Sequence, residues 1–399
     1  MMHAFSRTEL LLGKEGVERL RQASVCVFGI GGVGSYVVEA LARSGVGHLT
    51  LVDHDRVSIT NLNRQLVALH STLGMQKVEV ARQRILDINP EAQVTVHPCY
   101  YTGSEVHLQG FDFIAASFVR TAADINYLRK FTQSLGWFDV RIIAKIENAE
   151  GVENIDEILD AADGIMVARG DLGVEIPADQ VPHIQKKIIH KCNRKCKPVV
   201  TATQMLDSMI RNPRPTRAET TDVANAIYDG TTAIMLSGES ANGAYPEESV
   251  RTMAAIAVRA EADIDYASRM NSRSVVDRGD ITTAISHASC TVAEDIKADA
   301  IITVTLSGFT ARRLAAHKPV CPIIACTTSK ETACQMNLLF GVEPVIIRQE
   351  PTADLLFEEA INTAKLAGYV KPGDKVVLTA GIPLGVSGKT NMIRVIEVW

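Results

Sequence analysis

No run of this sequence is apolar for long enough to cross a membrane; Glu39 interrupts the longest candidate. The opening Met-Met-His-Ala-Phe-Ser-Arg-Thr-Glu carries acid and lacks an apolar signal core, so the expected location is cytoplasmic. An excess of one charge is missing too. A formal net charge of -5 gives no global pull toward nucleic acid or an anionic membrane. The 8 cysteines include no C-x-x-C pair. Cys192 and Cys196 stand four apart on an expected helix, and a lone pair cannot close a structural zinc site. Reduced, mostly buried thiols are expected instead. There is no short-period repeat, and residues 98–110 lack linker composition. What remains is an ordinary globular composition, 46% hydrophobic and 22% charged, over 399 residues, enough for two or three domains.

The fold class reads as α/β. From Ser24 to His97 the pattern alternates strand and helix. Strands are expected at Ser24–Gly29, His48–Asp53 and Gln93–His97, and helices at Gly34–Ser44 and Gln76–Asn89. Alternation resumes with apolar runs at Phe113–Phe118, Arg141–Ile146, Gly164–Arg169, Pro198–Thr203 and Ala233–Ser237, as in a βα barrel or half-barrel. Thr216-Arg217-Ala218-Glu219 fits a capping box that starts a helix. Residues 266–280 read as a polar connector. A separate C-terminal α/β domain follows, with strands at Ala300–Thr305, Pro322–Thr327, Val342–Ile347 and Lys375–Thr379. The expected division is 1–108, 109–265, 266–280 and 281–399.

Two chemistries are written along this chain. The first is Gly29-x-Gly31-Gly32-x-Gly34, placed after a strand and before a helix, where backbone can approach phosphate at a helix N-terminus. Asp53 ends the next strand, where a carboxylate can take ribose hydroxyls. The plainer reading of the glycines is a tight strand–helix turn without ligand, and that of Lys77 an exposed helix lysine. With Asn61-Leu62-Asn63-Arg64-Gln65 and Gly74-Met75-Gln76-Lys77, residues ~4–103 resemble the ubiquitin-activating-enzyme-like (ThiF) superfamily. The opening Phe-Ser-Arg-Thr-Glu-Leu-Leu-Leu-Gly-Lys-Glu-Gly is most similar to tRNA threonylcarbamoyladenosine dehydratases. The resemblance implies a Rossmann-like domain that adenylylates carboxylates with ATP and magnesium. It puts Gly29, Gly31, Gly32 and Gly34 on phosphates, Asp53 on ribose, and Asn61, Arg64 and Lys77 on the triphosphate. It also implies a metal-binding Asp after the fourth strand, where this chain reads Phe113-Ile114-Ala115-Ala116-Ser117-Phe118-Val119-Arg120. ATP binding without adenylyl transfer is therefore expected.

The second chemistry starts at Lys145 and Glu147, two apart on a strand end and so on one face. Asp171 follows the next strand and Thr203 ends the one after. In a βα barrel these positions converge at the carboxyl ends of adjacent strands. Two carboxylates a strand apart can hold Mg²⁺ (or Mn²⁺) against substrate oxygens, and a lysine beside them can stabilise developing negative charge. The plainer reading is a solvated Lys145–Glu147 ion pair on a barrel rim.

Four ordered stretches carry a second resemblance: Ile142–Gly151, Gly164–Glu175, Thr203–Leu206 with Arg211–Glu219, and Met235–Glu239. Through them residues ~110–399 resemble pyruvate kinase, whose glycolytic reaction converts phosphoenolpyruvate and ADP to pyruvate and ATP. The resemblance makes Lys145 the electrophilic lysine and Glu147 and Asp171 the metal ligands. It places Ala168, Arg169, Gly170, Asp171 and Thr203 about the substrate, with Thr203 assisting proton delivery. The first three strands of that barrel, with their potassium ligands and a phosphate-binding arginine, have no counterpart here, nor does the lid domain. The K⁺ site is expected to be lost and turnover to be absent or far below the family's norm.

In the C-terminal domain, Thr305, Ser307, Gly308 and Thr310 offer hydroxyls and backbone donors ahead of a helix, a phosphate nest or a plain helix start. The resemblance makes this loop a sugar-phosphate effector site. The basic run Lys186–Lys195 lacks interleaved aromatics and reads as the wet face of an outer helix, not a tRNA surface. A homo-oligomer through the C-terminal and barrel segments is the expected assembly.

Pyruvate-kinase-type phosphoryl transfer leads. The alternatives are an ATP-dependent adenylyltransferase acting on a tRNA-borne carboxylate, and a non-catalytic fusion that keeps only an effector-binding domain. The expected architecture is an open parallel sheet in the order 3-2-1-4-5-6-7-8, with the fourth strand beside the first, rather than a closed barrel.

Overall fold

The computed structural model describes residues 4–99, 112–266, 268, 280–382 and 389–399. The expected join and connector fall largely outside them. The chain divides into two compact units, Met1–Gln109 and Gly110–Trp399.

In the first unit, helix α1 (Ser6–Gln22) leads into β1 (Ser24–Phe28), α2 (Gly32–Ser44), β2 (His48–Val52), α3 (Lys77–Ile88) and β3 (Gln93–His97). The strands are parallel in the order β1-β2-β3, with Ser24 opposite His48 and His48 opposite Gln93. Alternating Leu49 and Leu51 on β2 meet Val38 and Ala42 of α2 and Val78 and Ile85 of α3, closing the core.

The second unit holds two sheets. Strands β4 (Phe113–Ala116), β5 (Arg141–Ile146), β6 (Gly164–Ala168), β7 (Val199–Ala202) and β8 (Ala233–Met235) lie parallel in chain order. The intervening helices include α4 (Ala122–Ser134), α5 (Ala149–Glu153), α6 (Ile155–Ala161), α7 (Arg169–Glu175), α8 (Val181–Arg194) and α9 (Arg217–Asp229). Then come α10 (Gly238–Ala241) and α11 (Pro246–Ala262). Both faces of these strands are apolar, as a covered parallel sheet requires, and Ile142, Ala144, Ile146, Ile165 and Val167 pack with Ile125, Ile158, Leu172 and Ile188. The last sheet runs β11-β10-β9-β12-β13. It is built from α12 (Ile281–Asp295), β9 (Ala300–Val304), α13 (Phe309–His317), β10 (Ile323–Thr327), α14 (Lys330–Met336), β11 (Val342–Ile346), α15 (Ala353–Leu366), β12 (Lys375–Ala380) and an antiparallel β13 (Met392–Glu397).

The α/β class holds, and no closed barrel forms among the described residues: β4 and β8 are the edges of an open sheet. The single order 3-2-1-4-5-6-7-8 does not hold. Among the described residues β1 hydrogen-bonds β2 alone and β4 hydrogen-bonds β5 alone. The reason is burial. Ala116, Val119 and Ile125, on and just after β4, pack into the core of the second unit, so β4 folds with that core.

No cysteine is disulfide-bonded among the described residues; three are buried, four half-buried and Cys334 exposed. Helix α8 turns Ile184, Ile188, Ile189 and Cys192 inward. Its lysines pair outward, Lys186 with Asp229 at 3.1 Å, Lys191 with Asp156 and Lys195 with Asp160. The basic run is thus a solvated helix face. Among the described residues no helix is long and apolar enough to cross a membrane.

The capping box forms: Thr216 Oγ1 accepts from Glu219 N, and Glu219 Oε2 accepts from Thr216 N at 2.7 Å. Glu219 also accepts hydrogen bonds from Ser208 N at 2.7 Å and Ser208 Oγ at 2.6 Å, tying α9 to the preceding turn. Burial pushes the Glu219 carboxyl up, but the hydrogen bonds from Ser208 and Thr216 outweigh it and hold it below the ordinary value. A depressed folded-state value stabilises above the unfolded pKa of about 4.3, and that stability is lost as pH falls through the folded value. Glu219→Ala should therefore cost about 1 kcal/mol near pH 7 and visibly less in acid. Thermal melts at neutral pH and near pH ~3.5 read this directly; an equal penalty at both would show that the carboxylate charge is not the source.

Candidate functional site at the strand carboxyl ends

Parallel strands place their carboxyl ends at one edge, so the residues after β5, β6 and β7 become neighbours. The β5–β6 register pairs Ile146 with Val167, and the β6–β7 register pairs Ala168 with Ala202. Glu147 follows the first of these strands, Arg169 to Asp171 the second, Thr203 the third.

Lys145 Nζ lies 2.6 Å from Glu147 Oε1 and donates to Ser117 Oγ at 2.8 Å. The Glu147 side chain is 1% exposed, so this is no solvated rim pair. Its second oxygen, Oε2, accepts from Phe118 N at 2.5 Å. Phe118 holds a positive φ of 54°, an uncommon backbone for a non-glycine, and this turn aims its N–H at the carboxylate. Asp171 sits in the first turn of α7, exposed and without an ion pair or side-chain hydrogen bond among the described residues. Its carboxylate is available to a ligand.

Thr203 and Gln204 both carry positive φ, 68° and 53°. Two adjacent strained residues at a strand end persist only where surrounding contacts over-determine them. Here Thr203 Oγ1 accepts from Gly170 N at 2.7 Å and donates to Ala202 O at 2.6 Å. Arg169, which the resemblance places about the substrate, directs its side chain to Asp222. It grips Asp222 with NH1 at 2.6 and 2.8 Å and gives NH2 to Thr203 O at 2.8 Å. The guanidinium therefore braces the β6 and β7 loops, while Ala168 and Gly170 contribute backbone.

Sequence reasoning missed Ser117, the Phe118 N–H, Asp222 and Glu239. Glu239 is buried and accepts from Leu206 N at 3.0 Å and Ser237 N at 2.8 Å, shaping the β7 and β8 loops. Ser237 Oγ beside it is buried with no partner among the described residues. The signal for Glu239 was its own motif, Ser-Gly-Glu; Asp222 carried none, because its partner lies 53 residues away.

In the first unit the glycine loop is built as the motif requires. Gly29 has φ +81°, and a Cβ at Gly34 would stand 1.8 Å from Gly29 O. Only glycine fits there, with or without a ligand. The side chain of Arg64 lies against Gly32, and Gln65 against Gly31, with Gln65 Oε1 buried and without a partner among the described residues. Asp53 is already committed: Oδ2 accepts from Ile30 N at 2.5 Å and Oδ1 from Asp55 N at 2.7 Å. Asn61 Oδ1 caps Ser58 N at 3.0 Å. Lys77 is not an exposed helix lysine. It is buried, with Nζ 2.7 Å from Asp55 Oδ2.

In the C-terminal sheet, Gly308 caps α13, and Thr305 and Thr310 are buried at the loop's two ends. Thr310 Oγ1 meets Thr390 Oγ1 at 2.6 Å. Arg312 donates to Ser307 O at 3.2 Å.

Comparison with known proteins finds three successive matches. Residues 5–125 match the ThiF family, 104–250 the pyruvate kinase barrel domain, and 283–396 the pyruvate kinase alpha/beta domain. The pyruvate kinase of Sporosarcina psychrophila is 50% identical over 287 residues, 72% of this chain and 49% of that protein. That of Clostridium acetobutylicum is 52% identical over 284 residues, 71% of this chain and 60% of that protein. That of Geobacillus stearothermophilus is 51% identical over 287 residues, covering 72% and 49%. The chain thus spans about half the length of the curated relatives it matches, and it is a composite: a ThiF-like segment runs into segments similar to the pyruvate kinase barrel and alpha/beta domains.

Proposed function

We propose that the carboxyl-end face of β5 to β7 is a pyruvate-kinase-type phosphoryl-transfer site that keeps its metal and substrate-carboxylate elements and has lost most of its turnover. The observation that carries this is the buried Glu147 carboxylate, 2.6 Å from the half-buried Lys145 and held by the Phe118 N–H, with Lys145 also on Ser117. Burying a carboxylate is costly unless it is paired, and here both oxygens are engaged within one strand-end cluster. The matched relatives, which carry the name pyruvate kinase, support the assignment of reaction.

Glu147 and Asp171 offer hard carboxylate oxygens from the ends of neighbouring parallel strands, a donor set that fits Mg²⁺ or Mn²⁺. When bound, such an ion supplies neutralisation of phosphoryl and enolate oxygens. Lys145 would hold the transferring phosphoryl group. Gly170 backbone would receive the substrate carboxylate. The Thr203 hydroxyl proton points to Ala202 O, and its oxygen holds Gly170, so Thr203 acts here as a positioning residue. The potassium ligands and phosphate arginine implied by the resemblance have no counterpart, and positioning plus charge neutralisation supply nearly all of phosphoryl-transfer catalysis. A coupled assay of pyruvate release with Mg²⁺ and K⁺ should find little or no activity above a Lys145→Met control. Ordinary kinase rates that vanish in Lys145→Met would show that the lost parts are dispensable.

Metal binding is tested apart from turnover. Mn²⁺ should bind the full chain, as followed by electron spin resonance. Asp171→Asn should weaken that binding by about tenfold or more while leaving the thermal midpoint alone, because the Asp171 side chain is exposed and makes no hydrogen bond or ion pair among the described residues. Unchanged Mn²⁺ affinity would remove Asp171 from the site.

The glycine loop supports a second reading, nucleotide binding in the first unit without adenylyl transfer. Its own observation is Gln65 Oε1, buried beside Gly31 and Arg64 and without a partner among the described residues. ATP should bind and Arg64→Ala should weaken it, while pyrophosphate exchange stays undetectable. Exchange with any carboxylate or tRNA substrate would restore adenylyl transfer as the function.

A further inference from the structure

At the opposite, amino end of the same strands lies a cavity of about 240 Å³ between the β4–β8 sheet and the start of α13. Five cationic side chains line it, Arg141, Lys195, Lys197, Arg312 and Arg313, against a single carboxylate, Asp163. That carboxylate is already shared. It accepts from Arg129 NH2 at 2.9 Å and Ile142 N at 2.9 Å, and Arg141 NH1 lies 3.5 Å away. Lys195 pairs outside the cavity with Asp160. Lys197 donates hydrogen bonds to three neutral carbonyls, of Leu159, Asp160 and Ala162, and forms no ion pair among the described residues. Arg313 lies over the Phe309 ring at 5.0 Å.

Arg312 is the least compensated. Its one side-chain hydrogen bond is to Ser307 O at 3.2 Å, and it has no ion pair among the described residues. Burial and then the neighbouring Arg141 push its guanidinium down to about 10, still protonated at neutral pH. A half-buried arginine facing other cations across an open cavity is costly unless an anion joins it. The remaining wall, with Phe113, Phe309, Met336 and Leu339, is apolar. Phosphate geometry suits the guanidinium fork, and an organic body suits those side chains.

We propose that this cleft binds a phosphomonoester, its dianion held by Arg312 and Arg141 and its organic body laid against Phe309 and Met336. The site is separate from the strand-end face that carries Lys145. It meets the loop from Thr305 to Thr310 only at Ser307 and Phe309, whereas Thr310 faces Thr390 within the C-terminal domain.

Thermal melts of the full chain at constant ionic strength test it, with inorganic phosphate, phenyl phosphate and phenol as probes. Phosphate should raise the midpoint above the chloride control. Phenyl phosphate should reach half-effect at lower concentration, and phenol should do nothing. Arg312→Met should shift half-effect about tenfold higher, the worth of one charge-assisted hydrogen bond. In phosphate-free buffer the same variant should melt no lower than the parent, because it relieves repulsion and desolvation. Arg312→Lys, which keeps charge without the fork, should fall between. A parent chain indifferent to phosphate, an unchanged response in Arg312→Met, or variants that melt well below the parent without phosphate would each overturn the proposal. The last would make Arg312 a structural strut.

Discussion

A strand can join only one core, and β4 joins β5. Residues 104–125, which include β4, match both the ThiF family and the pyruvate kinase barrel domain, so the sequence alone gives this segment two claimants. The register, with Ala116 opposite Ala144, brings Ser117 beside Lys145 and Phe118 N within reach of Glu147. Had β4 paired elsewhere, Glu147 would be a buried carboxylate with one oxygen unserved, a penalty of roughly 1–3 kcal/mol or more. The candidate site therefore depends on that pairing more than on any one of its motif residues.

The same choice fixes what the first unit lacks. Its sheet ends at β1, with Phe28 and Val33 exposed. The glycine loop keeps its geometry because Gly29 and Gly34 are required by backbone approach, irrespective of chemistry. The charged residues around it have meanwhile settled on internal partners: Asp53 on Ile30 N, Lys77 on Asp55. The loop is thus intact for steric reasons, beside polar groups that have found protein partners.

Charge is sorted along the second unit's strands. Lys145 near the carboxyl end of β5 meets acid; Arg141 at the amino end meets an excess of base. The two ends are linked by the β5 backbone, and the helices between them carry the apolar core. Arg169 and Glu239 show how that rigidity reaches the site. Each spends its charge on fixing backbone loops, not on facing solvent.

The strands read from hydrophobic runs appear at their expected places, most of them ending one or two residues short. Residues such as Thr203 and Arg169 leave the ladder to become the turn or the first helical residue. The capping box at Thr216 and the wet face of α8 were likewise legible, because both are local patterns. Helix α1 and strand β13 were not read. The former is broken at Gly13, whose φ of 72° is not helical, and the latter holds only half-buried and exposed residues on an antiparallel edge. Spacing within motifs determined that Lys145 and Glu147 share a face and that Gly34 must lack a side chain, since both are constraints over a few residues. Only the tertiary structure decided which core takes β4, that Arg169 turns to Asp222, and that Arg141 and Arg312 face one cavity. Those outcomes join residues far apart in the chain, and they turn on which apolar faces bury together and which buried charges find a partner.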